Sequence, residues 1–437
     1  MKASSGRLSQ YLLLNSEENL SNYLVETELF SEASLYDCLK KYKTIVIKPV
    51  FGPGETYIYT ENNMFRIVSM MDSITCPDKE AVYQHLVHKE INQKYYVIKP
   101  IKMNRRYSQN NCHFFVTVHR KSTLLDWHLI VTTEKNNSIR GRGIYRYFRQ
   151  KIVNLSLLVA KKLGESFPTC NTIVIEIVYD MKEGIWIHDT MLHLSSSKWS
   201  QHLVFITNRP LESYVPHTDL CTKVSFKSFL SRYNEVIIKP CYGQEGIGIV
   251  QITSNYDHSY EIHSGIKKFR LATLEETYHF IEENYLYKKD YVIQERLPLA
   301  TINDCPIDCR VIVQKIDSTW RSTGKIVKVA GEGFFITNAA QDLLPLETAI
   351  QNSNMSHINI NLLEDEIDEI CNSAAKQLEE NKSGIKIIGF DIGITDLGDI
   401  WIIEGNHTPD LSMFYMLEDK SIYMNILKSK RNMTPDS

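Results

Sequence analysis

Ile388-Gly389-Phe390-Asp391-Ile392 and Ile400-Trp401-Ile402-Ile403-Glu404-Gly405-Asn406, joined by the turn Asp396-Leu397-Gly398-Asp399, decide how this chain is read. Both runs are rich in β-branched and aromatic residues, which marks them as strands, yet each carries an acidic residue inside it. Pairing Thr395 with Ile400 sets Asp391 opposite Glu404, and the two-residue strand period puts Asn406 on the face of Glu404. Two opposed carboxylates in apolar strands repel unless a positive charge lies between them. With an amide oxygen beside them they suit a hard, oxygen-ligated Mg²⁺ completed by waters and substrate phosphates. Hydrogen-bonded polar residues at a strand end are the plainer alternative.

Outward from this hairpin the chain repeats itself. Gly184-Ile185-Trp186-Ile187 parallels Gly398-Asp399-Ile400-Trp401-Ile402, Thr44–Pro49 parallels Glu235–Pro240, and Tyr96-Val97-Ile98 parallels Tyr291-Val292-Ile293. The same elements in the same order read as a tandem duplication, about 25–205 and 215–425. Asn208-Arg209-Pro210 and Val215-Pro216-His217 mark the join, since X-Pro steps favour extended backbone. Apolar residues at helical spacing predict helices over 144–163 and 362–378, each feeding a strand. Strands, hairpins and helices interleaved in this way predict an α+β class. The expected domains are 1–210, 211–427 and a disordered tail, 428–437.

Upstream in the second half, the strand ending in Lys239 runs into Cys241-Tyr242-Gly243-Gln244-Glu245-Gly246-Ile247-Gly248. Gly243, Gly246 and Gly248 let a hairpin backbone approach a polyphosphate and offer it N–H donors, and Lys239 adds a point charge. No Gly-Lys-Ser/Thr follows, so this is not a P-loop. A tight hairpin alone explains the glycines equally well. Gln294-Glu295-Arg296-Leu297 follows a strand and offers a connector whose backbone suits a base. Asp308 and Arg310 share a strand face, as an ion pair or a phosphate fork.

The 49 basic and 52 acidic side chains leave a net charge of −3, so no global field draws the chain to nucleic acid or an anionic membrane. No apolar run approaches the roughly 18 residues of a membrane span, and Tyr11-Leu12-Leu13-Leu14 is too short for a signal-peptide core. Nine scattered cysteines without a CxxC exclude a disulfide framework or zinc site, which favours the reducing cytosol. His85 and His88 read as a structural or solvated helix pair. The basic, aromatic run Arg140–Lys151 reads chiefly as a solvated loop and first helical turn, with an acidic peptide ahead of single-stranded nucleic acid as its binding alternatives.

Taken in order, the Lys-Pro-glycine loop, Gln-Glu hinge, Asp-x-Arg, Asn, Asp and Glu-x-Asn of residues 215–415 resemble the ATP-grasp superfamily. Within it the likeness is to the endospore coat-associated YheC/YheD-like family, and more distantly to ligases of the ribosomal-protein glutamate-ligase type. The resemblance implies an ATP-grasp fold with ATP between two α+β subdomains. It assigns Lys239, Gly243, Gly246 and Gly248 to the phosphates, and Gln294, Glu295 and Leu297 to adenine. Arg310 would stabilise the transferring phosphoryl group with Asp308 supporting it, while Asp391, Glu404 and Asn406 would hold Mg²⁺. Asn338 matches the asparagine before the family's substrate loop. Lys328 stands where relatives more often have arginine, and Ala339-Ala340-Gln341 replaces a glycine pair, which puts the acceptor in question. The implied activity is an ATP- and Mg²⁺-dependent carboxylate–amine ligase acting through an acyl phosphate on a peptide or spore coat protein. A noncatalytic assembly or coat protein that binds ATP, and an ATP-grasp kinase acting on a hydroxyl, are the alternatives.

Aligned on the second half, the first reads as a worn copy. Lys48 matches Lys239, Glu176 matches Asp391 and Asp189 matches Glu404, but Met191 replaces Asn406, Phe115 replaces Arg310, and Lys99-Pro100 replaces Gln294-Glu295. In Phe51-Gly52-Pro53-Gly54-Glu55-Thr56-Tyr57, Tyr57 is expected where Gly248 sits, obstructing phosphate. Structural support, homodimerisation or peptide binding are the roles left to it.

Overall fold

The computed structural model describes residues 5–51, 54–69, 73–91, 95–101, 112–121, 126–134, 139–180, 184–207, 209–243, 246–286, 289–337 and 339–431. Asn338, Asn208, Gly52, Pro53, Gln244 and Glu245 lie outside them. The chain forms two compact units: 1–194 with 222–224 and 278–290, and 195–221 with 225–277 and 291–437. The second unit thus begins at Ser195, before the Pro-containing join expected from the sequence.

The second unit holds two antiparallel sheets. One runs, edge to edge, Thr218–Leu220, Tyr291–Glu295, Glu235–Pro240, Val250–Ser254, Tyr260–Ser264, Lys267–Leu271. The other runs Ala340–Leu344, Thr319–Ala330, Cys305–Ile316, Ile387–Ile394, Ile400–Asn406. Alternation along Cys305–Ile316 explains how the second sheet is layered. Ile307, Cys309, Val311 and Val313 enter one apolar core with Leu363, Ile367, Ile370, Ala374 and Leu378 of the helix Ile360–Asn381. That helix is capped by Asn359, whose side chain accepts from the Asn361 and Leu362 amides. Each fully buried Ile or Leu in such a layer contributes about 1.5–3 kcal/mol. On the opposite face Ile312 and Ile326 pack against Phe414 and Ile426, the latter from the helix Ser421–Arg431. That helix extends through residues 428–431, the beginning of the segment expected to be disordered. The remainder of this face, Asp308, Arg310, Lys328 and Asp391, is polar.

The first unit has sheets of matching strand order. Glu28–Leu29, Tyr96–Pro100, Thr44–Pro49, Thr56–Glu61, Met64–Val68, Ser73–Cys76 form one; Gly184–Leu194, Cys170–Asp180, Cys112–His119, His128–Glu134 form the other, which among the described residues has no counterpart of the strands Ala340–Leu344 and Thr301–Ile302. The basic run after Arg140 is helical rather than a loop, within Ile139–Ser166, and leaves Arg142, Arg146 and Arg149 exposed. All nine cysteines are free and eight are buried. No described helix is long and apolar enough to cross a membrane.

Candidate nucleotide and metal site

The hairpin that opened the sequence reading reaches its geometry by an unexpected route. Ile394, not Thr395, pairs with Ile400, and Ile392 with Ile402; a bulge at Ile403 then shifts the register so that Asp391 faces Glu404 and Gly389 faces Asn406. The bulge matters chemically. Ile402 lies in the helix-side core, and without the extra residue Glu404, two positions on, would follow it there. With it, Glu404 joins Asp391 on the polar face. The first unit repeats the device at His188, which lets Asp189 face Glu176.

A cleft of about 430 Å³ is lined by Lys239, Gly243, Gly246, Asp308, Asp391 and Glu404, among others. Asp391 is gripped by Arg310, with Nε 2.8 Å from Oδ1 and Nη2 donating to Oδ2 at 3.0 Å. Lys328 Nζ bridges Asp308 Oδ1 and Asp391 Oδ1, at 3.0 Å from each. Burial opposes ionisation of Asp391, but Lys328 and Arg310 overcome it and hold its pKa below the ordinary value. Burial raises the Asp308 pKa, with Asp391 adding to the effect against Lys328, and Thr337 donates its hydroxyl to Asp308 Oδ2. The expected carboxylate conflict is thus met by side-chain cations.

Lys239 differs from these. It is 5% exposed and makes no ion pair or hydrogen bond among the described residues. Burial lowers its pKa to about 8, although Glu404 and Asp391 pull the other way. A buried cation with no counterion among the described residues, beside a glycine hairpin, is a candidate anion site. Gly246 and Gly248 have φ of 71° and 83°, left-handed values that favour glycine. A Cβ on Gly248 would come 2.8 Å from the Tyr291 hydroxyl.

A second cation here was missed by the sequence reading. Ser197 caps the helix Lys198–Ile206; Lys198 Nζ lies 2.7 Å from Glu404 Oε2 and donates to the Gly243 carbonyl at 3.1 Å. Gln201 clamps Gly405 next door, donating to its carbonyl at 2.7 Å and accepting from its amide at 3.0 Å. The signal was present: Arg7-Leu8-Ser9-Gln10 precedes Lys48 by the same interval that separates Lys198-Trp199-Ser200-Gln201 from Lys239. Arg7 contacts Asp189 at 2.9 Å, and Gln10 accepts from Thr190, the residue after it.

Among the expected base contacts, Gln294 lines an adjoining cavity with His202, Phe205, Val215 and Val292. Glu295 instead accepts from the His217 amide at 2.7 Å, and Leu297 packs into the interior. Asn406 lies two residues beyond Glu404, opposite Gly389, and its Oδ1 accepts from the Thr408 amide at 3.0 Å. No three His, Cys, Asp or Glu side chains converge as a metal cage among the described residues. Asp391 and Glu404 do fit Mg²⁺ of the kind bound by two carboxylates and completed by substrate phosphates, since they face one another in the cleft that holds Lys239.

In the first unit, strand register corrects the expected hairpin match. Ile47 pairs with Thr56 as Ile238 pairs with Val250, so Gly54, with φ of 115°, occupies the place of Gly248. Tyr57 falls at Gln251 and Glu55 at Ile249, because the loop is shorter than its counterpart. The Phe115-for-Arg310 exchange agrees with register: Phe115 pairs with Glu176 as Arg310 pairs with Asp391.

Residues 191–431 match the family described as YheC/D like ATP-grasp. The endospore coat-associated protein YheD of Bacillus subtilis (strain 168) is 25% identical over 235 residues, 52% of this chain and 51% of that protein. The endospore coat-associated protein YheC of the same strain is 23% identical over 210 residues, 46% of this chain and 56% of that protein. The chain therefore spans about half the length of the curated relatives it matches. A solved structure of the ATP-grasp ligase PsnB complexed with minimal precursor is similar at 16% identity and a TM-score of 0.33, over 55% of this chain and 61% of that one. With more than half of its residues inside the family match, this chain belongs to the YheC/D-like ATP-grasp family.

Proposed function

We propose that the second unit is an ATP- and Mg²⁺-dependent carboxylate–amine ligase, and that the acceptor is a peptide or coat protein. The observation that carries the reading is Lys239, buried and without a counterion among the described residues at the mouth of a glycine hairpin. Lys239, Lys198 and the hairpin amides hold the nucleotide phosphates, and Gln294 with the adjoining cavity takes the base. Asp391 and Glu404 would hold Mg²⁺, which would supply charge neutralisation during phosphoryl transfer. Arg310 and Lys328, already aligned by Asp391, flank the place where negative charge develops on the transferred group. A substrate carboxylate oxygen bonds to the γ-phosphorus as the bond to ADP breaks. The amine nitrogen then bonds to the acyl carbon, phosphate leaves with the carbon–oxygen electron pair, and the amine proton passes to solvent.

The first unit is read as the worn tandem copy, with structural support as its role. Support comes from the matched strand orders, the repeated bulge and the phenylalanine at the arginine position. The test is incubation with ATP, Mg²⁺ and candidate acids, with and without amines, scoring ADP and products by mass. Amine-dependent amide with ADP and phosphate supports the ligase; a phosphorylated hydroxyl or no ADP in any mixture overturns it.

A further inference from the structure

The first unit holds a charge cluster that the proposed chemistry does not use. Lys48 Nζ lies 2.5 Å from Glu55 Oε1, 3.0 Å from Asp189 Oδ2 and 3.9 Å from Glu176 Oε2. Tyr57 donates its hydroxyl to the other Glu55 oxygen. Asp189 also meets Arg7 and, at 3.6 Å, Lys99; Glu176 faces the imidazoles of His113 and His188. Three cations, Arg7, Lys48 and Lys99, therefore meet three carboxylates, Glu55, Glu176 and Asp189. Among the described residues of the second unit's cleft, four cations, Lys198, Lys239, Arg310 and Lys328, face three carboxylates, Asp308, Asp391 and Glu404. The differences include Lys99 at the place of Gln294 and Phe115 at the place of Arg310, and one falls beside the lysine itself. Where Ile249 lines the cleft of the second unit, strand register puts Glu55 in the first.

We propose that the first unit retains a polyphosphate-binding site whose occupant is the chain's own Glu55 carboxylate, held by Lys48 and Tyr57 where a phosphate would lie. Two oxygens on one carbon, one on an ammonium and one on a hydroxyl, reproduce two of the contacts a terminal phosphate makes. Closure is intramolecular, so the carboxylate competes at an effective concentration set by the chain and independent of the solution. Removing it leaves three cations facing two carboxylates, with Lys48 buried at 1% exposure beside the vacated space. The ligand class of the opened site is an inorganic or nucleoside polyphosphate. The nucleotide reading of the second unit enters only as the comparison.

The test counts inorganic tripolyphosphate bound to the full chain by calorimetry. Glu55→Ile installs the residue of the other unit, and Glu55→Gln removes the charge at constant size. Each is expected to bind one tripolyphosphate per chain more than the unaltered protein, and adding Lys48→Met is expected to abolish that gain. No gain in either variant, with the unaltered protein's own binding retained, overturns the proposal, as does a gain that survives Lys48→Met. Lys239→Met separates the two readings. It should delete the site present in the unaltered chain and leave the gained one, so a failed second-unit reading shows as no site to delete.

Discussion

Replacing Lys239 by Met should make the protein worse at binding nucleotide and harder to unfold. Lys239 is 5% exposed, and burial displaces its pKa from 10.5 to about 8. That displacement is worth on the order of 3 kcal/mol against the folded state at neutral pH. A depressed lysine pKa means that the unfolded chain binds more protons between pH 8 and 10.5, so the unaltered protein gains stability as pH rises through that window. Lys99 is displaced to about 8 by burial as well, but it is common to both proteins and cancels in the difference. The variant should therefore exceed the unaltered chain by up to about 3 kcal/mol at pH 7, with the gap closing from pH 8 towards 10.5. Removing one partner of a desolvated charge contact typically costs about 2–5 kcal/mol, so ATP affinity should fall on the order of a hundredfold. Denaturant unfolding without nucleotide at pH 7, 8, 9 and 10, beside calorimetric titration with ATP, reads both effects. A variant less stable than the parent at pH 7, or a gap flat across the series, would show that Lys239 has a counterion and remove the main support for the anion site.

Glu404→Gln keeps the shape of the bulged hairpin but removes one charge facing the cleft, so Mg²⁺ affinity and turnover should fall on the order of a hundredfold with the fold intact; unchanged Mg²⁺-dependent ADP production refutes the metal assignment. Asp189→Asn, at the matching position of the first unit, should leave turnover per folded molecule unchanged yet destabilise that unit by about 3–5 kcal/mol, because Arg7, Lys48 and Lys99 lose a shared carboxylate; equal activity losses in the two variants would refute the assignment of one active and one worn unit. Gln201→Ala strips both backbone groups of Gly405 of their partner and should cost about 2 kcal/mol, with a raised KM for ATP through displaced Glu404. Gly248→Ala meets both a φ of 83° and the Tyr291 hydroxyl at 2.8 Å, and should weaken ATP binding while Gly184→Ala, with open space around it, does not.

The sequence alone determined the periodic and the ordered. Alternating strands and the helical spacing from Leu363 to Leu378 are local patterns, and they place the two long helices and the strands that follow them. The order of Lys239, Asp308, Arg310, Asp391 and Glu404 marked the family and named the polar residues of one cleft, because a strand's period-two geometry carries face information in the chain itself. Helix Lys198–Ile206 lay within reach of the same reasoning, since its Lys-x-Ser-Gln repeats Arg7–Gln10 at the interval of the lysines. Other features needed the fold. Bulges at Ile403 and His188 are single-residue insertions with no composition of their own, yet each turns a carboxylate from the apolar core to the polar face. The shortened hairpin that sets Glu55 against Lys48 is invisible until Ile47 is seen to pair with Thr56. Whether a buried lysine is satisfied or waiting for an anion depends on atoms brought from remote parts of the chain. Lys48 meets Asp189 across a separation of 141 residues, whereas Lys239 meets no carboxylate that the fold brings within ion-pairing distance among the described residues.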